Sequence, residues 1–223
     1  MRLSPGEAPS FGGAFSWRGF SILVIGGEVL YALPLIEVCI YDGQKKTYHF
    51  RRELRKMGFR FQNEPDKCWY SEVEASELVA LEDWCFKRRL EIETPYSKRS
   101  ADYRKAFFEA NTPNAGRSRY FCAYCGLPMR KDRITVDHLI AVKRAQQSRF
   151  YLNLLRKWGC DSVNDVRNLV PSCGRCNSRK GTKAGVWVLR GKLGRRAWFW
   201  VVKWSVYGII VLGGICIFVV FCC

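Results

Sequence analysis

Hydrophobic and polar positions change period several times along the chain, and each change predicts an element. Residues 1–20 show no sustained period and read as a leader. Ser21 to Ile40 is apolar but broken by Gly26, Gly27, Glu28, Pro34 and Glu37, which predicts strands or core elements rather than a bilayer span within the leader region 1–40. Tyr48 to Met57 has helical spacing and ends at Gly58, the residue type that closes a helix in a left-handed conformation. Phe59-Arg60-Phe61 and Lys67-Cys68-Trp69-Tyr70 read as paired strands across the turn Asn63-Glu64-Pro65-Asp66. Ser71 with Glu74 makes a capping box, predicting a helix to about Arg89 that buries Val73, Leu78, Leu81 and Trp84. Ile92 adds a short strand. Residues 41–93 are thus expected to form a small α+β module.

Residues 94–118 are polar, basic and punctuated by Pro95, Pro113 and Gly116, as in a linker, with one short helix over Ala101–Ala110. In the next segment, 119–185, Ile134 to Ile140 alternates as a strand with Asp137 and His138 at its end. A basic helical stretch follows, then Asn168-Leu169-Val170-Pro171, then a helix opening at Cys176 to Gly181. The last twenty residues, 204–223, carry no charge, the length that crosses a bilayer core. Lys192, Arg195, Arg196 and Lys203 sit in or beside the preceding basic segment, 186–203, and Trp198, Trp200, Trp204 and Tyr207 stand where an interfacial belt would lie. The pattern predicts a C-terminal transmembrane helix, a tail anchor holding the protein on the cytoplasmic side of a membrane. The alternatives are a buried helix of a larger assembly or an unselected extension, with the protein then cytoplasmic.

Charge narrows the partners. The chain has 223 residues and a formal net charge of +17, with a pI near 9.6. Nucleic acid and anionic membrane surfaces are the ordinary partners of such a chain. Arg51, Arg52, Arg55, Lys56 and Arg60 decorate the N-terminal module as phosphate contacts or as a solvated helix face. The order helix, glycine, aromatic hairpin ending in Trp-Tyr, helix resembles a small module sometimes appended to nucleic-acid enzymes.

Cysteine spacing narrows the chemistry. Of eleven cysteines, four form the pairs Cys122-x-x-Cys125 and Cys173-x-x-Cys176. The opening residues lack the apolar core of a secretory signal, so a reducing compartment and metal are expected, not disulfides. Two such knuckles complete a closed tetrahedral site, which predicts structural Zn²⁺.

Cys-x-x-Cys, then Asp137-His138, then Asn168-Leu169-Val170, then Cys173-x-x-Cys176-Asn177-x-x-Lys180-Gly181 resembles the HNH endonuclease family with its ββα-metal fold. The likeness covers about residues 119–183, with Asn177 where the name-giving pattern has its last histidine; that HNN form also occurs among active relatives. The resemblance implies metal-dependent hydrolysis of DNA phosphodiesters, most naturally in duplex DNA. It makes His138 the general base, and the chain has only one other histidine, His49. Asp137 and Asn177 would hold catalytic Mg²⁺ or Mn²⁺, and Asn168 would orient the loop carrying His138. Lys180, Arg179 and Arg175 would meet phosphate. One rival is a non-catalytic zinc module that only binds nucleic acid, with or without a membrane tether; another is a membrane-associated basic scaffold on anionic lipid.

Overall fold

The computed structural model describes residues 14–17, 20–25, 28–30, 35–111 and 119–222, with side chains described for 35–111, 119–196 and 198–211. It divides into two compact units, Met1–Tyr96 and Ser97–Cys223. Both mix helices with antiparallel sheets, an α+β architecture. Most of the expected leader, 1–20, lies outside the described residues. β1 (Ala14–Trp17), inside the expected leader, forms an antiparallel meander with β2 (Phe20–Ile25) and β3 (Glu28–Leu30) of the apolar segment that follows.

The core of the first unit is a four-stranded antiparallel sheet. Its strands are β4 (Leu35–Tyr41), β5 (Arg60–Gln62), β6 (Cys68–Glu74) and β7 (Glu91–Glu93), in the order β5-β6-β4-β7. Alternation along β4 buries Val38 and Ile40 against Leu54, Trp69, Leu81, Cys85, Leu90 and Ile92. A 3₁₀ turn (Thr47–Phe50) leads into α1 (Arg51–Lys56), and Gly58 at φ +85° turns the chain back so that Phe59 N donates to Leu54 O. The capping box expected at Ser71–Glu74 is absent. Those residues extend β6, which pairs with β4 from Ile40↔Trp69 to Leu35↔Glu74, and α2 (Ala75–Lys87) starts after them with no side-chain cap. Six pairs of ladder outweigh one local capping motif.

In the second unit, α3 (Tyr103–Ala110) matches the short helix expected inside a linker, but its setting differs. Phe107 is buried in this unit's core and Arg104 donates to Ile134 O at 2.9 Å, so residues 97–110 belong to the fold. The hairpin β8 (Arg119–Phe121) and β9 (Pro128–Arg130) carries the first cysteine pair in its loop. β10 (Thr135–His138) pairs antiparallel with β11 (Leu169–Ser172), and α6 (Gly174–Lys180) follows directly. Between β10 and β11 lie α4 (Val142–Gln147) and α5 (Arg149–Lys157), the latter burying Leu152 and Leu155. α7 (Val186–Gly194) lies over this centre; Gly191 leaves no room for a Cβ against Leu139 and Tyr124.

The expected transmembrane helix is not supported. α8 (Ala197–Cys222) occupies that region, but among the described residues no helix is long and apolar enough to cross a membrane. Its first turns are committed to protein contacts: Trp200 Nε1 donates to Gly194 O at 2.9 Å and its ring lies against Gly126. Lys203 then interrupts the apolar run, with its ammonium 5.0 Å from the Trp200 ring centre.

Candidate metal centre and active site

Four cysteines converge where the β8–β9 loop meets the start of α6. The Sγ atoms of Cys122, Cys125, Cys173 and Cys176 all lie within 4.8 Å of one another, and Cys125 Sγ and Cys173 Sγ are 3.9 Å apart. A tetrahedral zinc with bonds of about 2.3 Å sets its sulfurs about 3.8 Å apart, so the cluster is positioned to bind a metal such as zinc. Backbone amides support it: Cys173 N donates to Cys122 Sγ at 3.3 Å and Cys176 N to Cys173 Sγ at 3.4 Å. With four protein ligands no position is left for water, which suits a structural ion.

β10, the 3₁₀ turn Val166–Asn168 before β11, and α6 stand beside this cluster and carry Asp137, His138, Asn168, Asn177 and Lys180. On one face of β10, Thr135 and Asp137 point toward α6. Asn177 Nδ2 donates to Thr135 Oγ1 at 3.3 Å; one helical turn later, Lys180 Nζ pairs with Asp137 Oδ2 at 3.0 Å and donates to His138 O at 2.7 Å. Lys180 is fully buried. This corrects the expectation that it meets phosphate: an ammonium with no solvent access, held by a carboxylate and a carbonyl, ties α6 to the end of β10 instead. Tyr124 Oη also donates to Asp137 Oδ2, at 2.5 Å. Burial and the neighbouring carboxylate push the Tyr124 phenol well above its ordinary range, so it stays a neutral donor.

Both contacts to Asp137 use one oxygen. Its Oδ1 and the Oδ1 of Asn177 have no hydrogen-bond partner among the described residues, and neither is a buried unsatisfied atom, so both reach solvent.

His138 ends β10 on the opposite face and is 6% exposed. Its Nε2 lies 3.3 Å from Asn164 Oδ1. The orientation of that amide is set by its surroundings: Asn164 Nδ2 donates to Lys98 O at 2.7 Å, while Oδ1 also accepts from Ser100 N at 3.0 Å. An acceptor at Nε2 requires the Nε2–H tautomer, which leaves the lone pair on Nδ1. The Tyr103 ring stacks at 4.8 Å, tilted 40°. Burial, with the positive charges of Arg99 and Lys180, lowers the imidazole pKa to about 4, against the opposing effect of its hydrogen bond to Asn164. The ring is therefore neutral at physiological pH.

Asn168 is fully buried and brackets the turn after His138. Its Oδ1 accepts from Ile140 N at 2.9 Å, and its Nδ2 donates to Ile140 O at 3.1 Å and Val163 O at 2.7 Å. Leu139 N donates to Asn168 O at 2.7 Å. Arg175 and Arg179 are exposed on α6. They line a cavity of about 660 Å³ with Cys125, Trp187 and Arg190, a lining that includes neither His138 nor Asp137.

The sequence did not single out Asn164, Tyr103, Arg99 or Tyr124. Asn164 and Tyr124 act on partners 26 and 13 residues away, and Tyr103 and Arg99 sit in a segment whose composition resembles a linker.

The His138 environment has a measurable consequence. The unfolded chain protonates this ring near pH 6.5 and the folded one near 4. Between those values the unfolded state binds more protons, so stability rises with pH across the window, by about 3 kcal/mol in total. Denaturation curves from pH 4 to 7 without added divalent ion will show this slope. His138→Gln will flatten it, whereas proton loss from the cysteine cluster is common to both proteins and cancels.

Comparison with protein-family models, with curated proteins and with solved structures gives no match.

Proposed function

We propose that the second unit is a metal-dependent endonuclease that hydrolyses phosphodiester bonds in DNA, with His138 as general base. The observation that carries this reading is a buried, neutral histidine at a strand end, held through Nε2 by Asn164 so that Nδ1 keeps its lone pair. A strand-end histidine serving only as a packing group has no need of a fixed tautomer. The likeness of the motif Cys-x-x-Cys, Asp-His, Asn, Cys-x-x-Cys-Asn to HNH nucleases points the same way.

In this reading Nδ1 of His138 takes a proton from the attacking water. The low pKa keeps the base available, and the negative charge of an approaching phosphodiester raises its basicity as substrate binds. Asp137 and Asn177 would hold Mg²⁺ or Mn²⁺; when bound, the ion offsets charge on the phosphoryl group and the leaving oxygen. Tyr124 and Lys180 hold the Asp137 carboxylate through Oδ2, leaving Oδ1 for the ion. Arg99 stands beside the His138–Tyr103 pair as a phosphate contact. Arg104, Lys105, Arg130 and Lys131 line a recess of about 820 Å³ in the same unit and supply basic surface for a nucleic-acid backbone.

Nicking of supercoiled plasmid by the metal-loaded chain with added Mg²⁺ or Mn²⁺ tests the activity, and its absence from a folded protein favours a binding-only zinc module. Asn164 gives a sharper test as a positioning residue. Asn164→Ala releases the tautomer and lowers the cleavage rate about 10- to 100-fold at unchanged zinc content. Asn164→Asp keeps an acceptor and adds a negative charge, so it retains more activity and moves the acid limb of the rate profile to higher pH. A purely structural asparagine would shift no limb.

A further inference from the structure

The first unit contains a recess of about 480 Å³ at the junction of the 3₁₀ turn, α1 and the β5–β6 hairpin. Its aromatic walls are Tyr48, Phe61 and Trp69, and Lys46, Arg51, Arg55 and Lys67 surround them. Tyr48 is 64% exposed and Phe61 51% exposed, although both are large rings. The Trp69 ring is buried beneath Phe61, edge-on at 5.5 Å and 61°, so Phe61 is braced from behind. The Arg51 guanidinium lies 4.0 Å over Tyr48.

The charge on this recess is one-sided. Asp42 is its one acid, and that carboxylate is occupied by Thr47 N and Oγ1, each at 2.8 Å, and by Lys46 at 3.1 Å. Hydrogen bonds from Thr47, with Lys46 adding its charge, overcome partial burial and hold the Asp42 pKa below its ordinary value. Arg51, Arg55 and Lys67 make no ion pair among the described residues. Three cations without acidic partners thus surround two exposed aromatic side chains, with Arg51 covering one face of Tyr48, a surface whose chemistry asks for anions that also carry flat π systems. In a duplex the base faces are stacked on one another and cannot meet such rings. In a single strand they can.

We propose that this recess binds single-stranded nucleic acid, with bases stacking on Tyr48 and Phe61 and phosphates meeting Arg51, Arg55 and Lys67. The site stands apart from the nuclease reading and holds whether or not His138 cuts DNA.

Fluorescence anisotropy of a labelled oligothymidylate with the full, zinc-loaded chain tests it. Tyr48→Ala and Phe61→Ala, both surface changes, will each weaken single-strand binding about tenfold and leave binding of an equal-length duplex unchanged. Arg55→Ala will reduce the slope of log K against log salt by about 0.7. Ultraviolet crosslinking to the same oligonucleotide will place the adduct on peptides carrying Tyr48 or Phe61. Unchanged affinity in both aromatic variants, an equal loss on duplex, or adducts confined to the second unit would overturn the proposal. So would anionic phosphatidylserine vesicles that bind the chain through Tyr48 and Phe61 and displace no oligonucleotide.

Discussion

Stripping metal from the four-cysteine cluster, or replacing Cys173 with serine, is expected to unfold the second unit. The cluster ties the loop of one hairpin to the start of α6, two places about fifty residues apart in the chain. Cys122 and Cys173 are themselves part of the core, against Tyr124, Val136 and Leu169. Structural zinc contributes roughly 10–16 kcal/mol of apparent binding free energy in zinc-finger peptides, whereas whole domains are stable by only about 5–15 kcal/mol. Loss of the ion therefore exceeds the stability margin. Circular dichroism with and without chelator, alongside zinc content, measures it: the unit loses its cooperative melt with the metal and regains it when zinc is restored. A melt insensitive to chelation and to Cys173→Ser would show that the hydrophobic core suffices and that the cysteines are only close neighbours.

The second large effect is expected at Lys180. Lys180→Met keeps most of the side-chain volume, removes the charge, and leaves the Asp137 carboxylate supported by Tyr124 alone. Breaking a buried pair by deleting one partner costs about 3–5 kcal/mol, because the remaining charge is left poorly compensated. The urea midpoint should fall accordingly with unchanged slope. The binding of DNA, measured under conditions where the variant is still folded, should change little. A surface phosphate contact predicts the reverse, weaker binding at constant stability.

How much of this was legible in sequence depends on the range of each interaction. The cysteine knuckles are local, two residues between ligands, and their spacing alone foretold a cluster that the fold assembles. The strand ending in Asp137-His138 was visible in the same way, from alternation; the helix expected to open at Cys176–Gly181 instead runs Gly174–Lys180 and ends at Gly181. Ser71 and Glu74 misled because a capping box is also local, and the β4–β6 ladder that overrides it is not. Residues 97–110 passed for a linker because their composition is basic and polar; the contacts that anchor them, from Phe107 in the core, Tyr103 on His138, Arg104 to Ile134 and Asn164 to Lys98 and Ser100, are all long-range. Lys180 passed for surface because lysine usually is surface, and only the burial of its partners shows otherwise. The C-terminal apolar run read as a span from hydropathy, which carries no record of Trp200 docking on Gly126 and Gly194. Asn164 left no signal at all, since nothing in its own neighbourhood in sequence shows that it will meet His138.

The central claim is that His138 is the base of a phosphodiester-cleaving site, and the most direct measurement is the rate of supercoiled plasmid nicking by wild-type chain and His138→Ala. Both proteins are matched for zinc content and for circular dichroism, and assayed with Mg²⁺ and with Mn²⁺. The account predicts divalent-dependent nicking by the wild type and a loss of about a hundredfold or more in the variant, the upper part of what general-base catalysis contributes. Equal nicking by both proteins would remove His138 from the chemistry, and no nicking by a folded, zinc-loaded wild type with either ion would contradict the endonuclease reading itself.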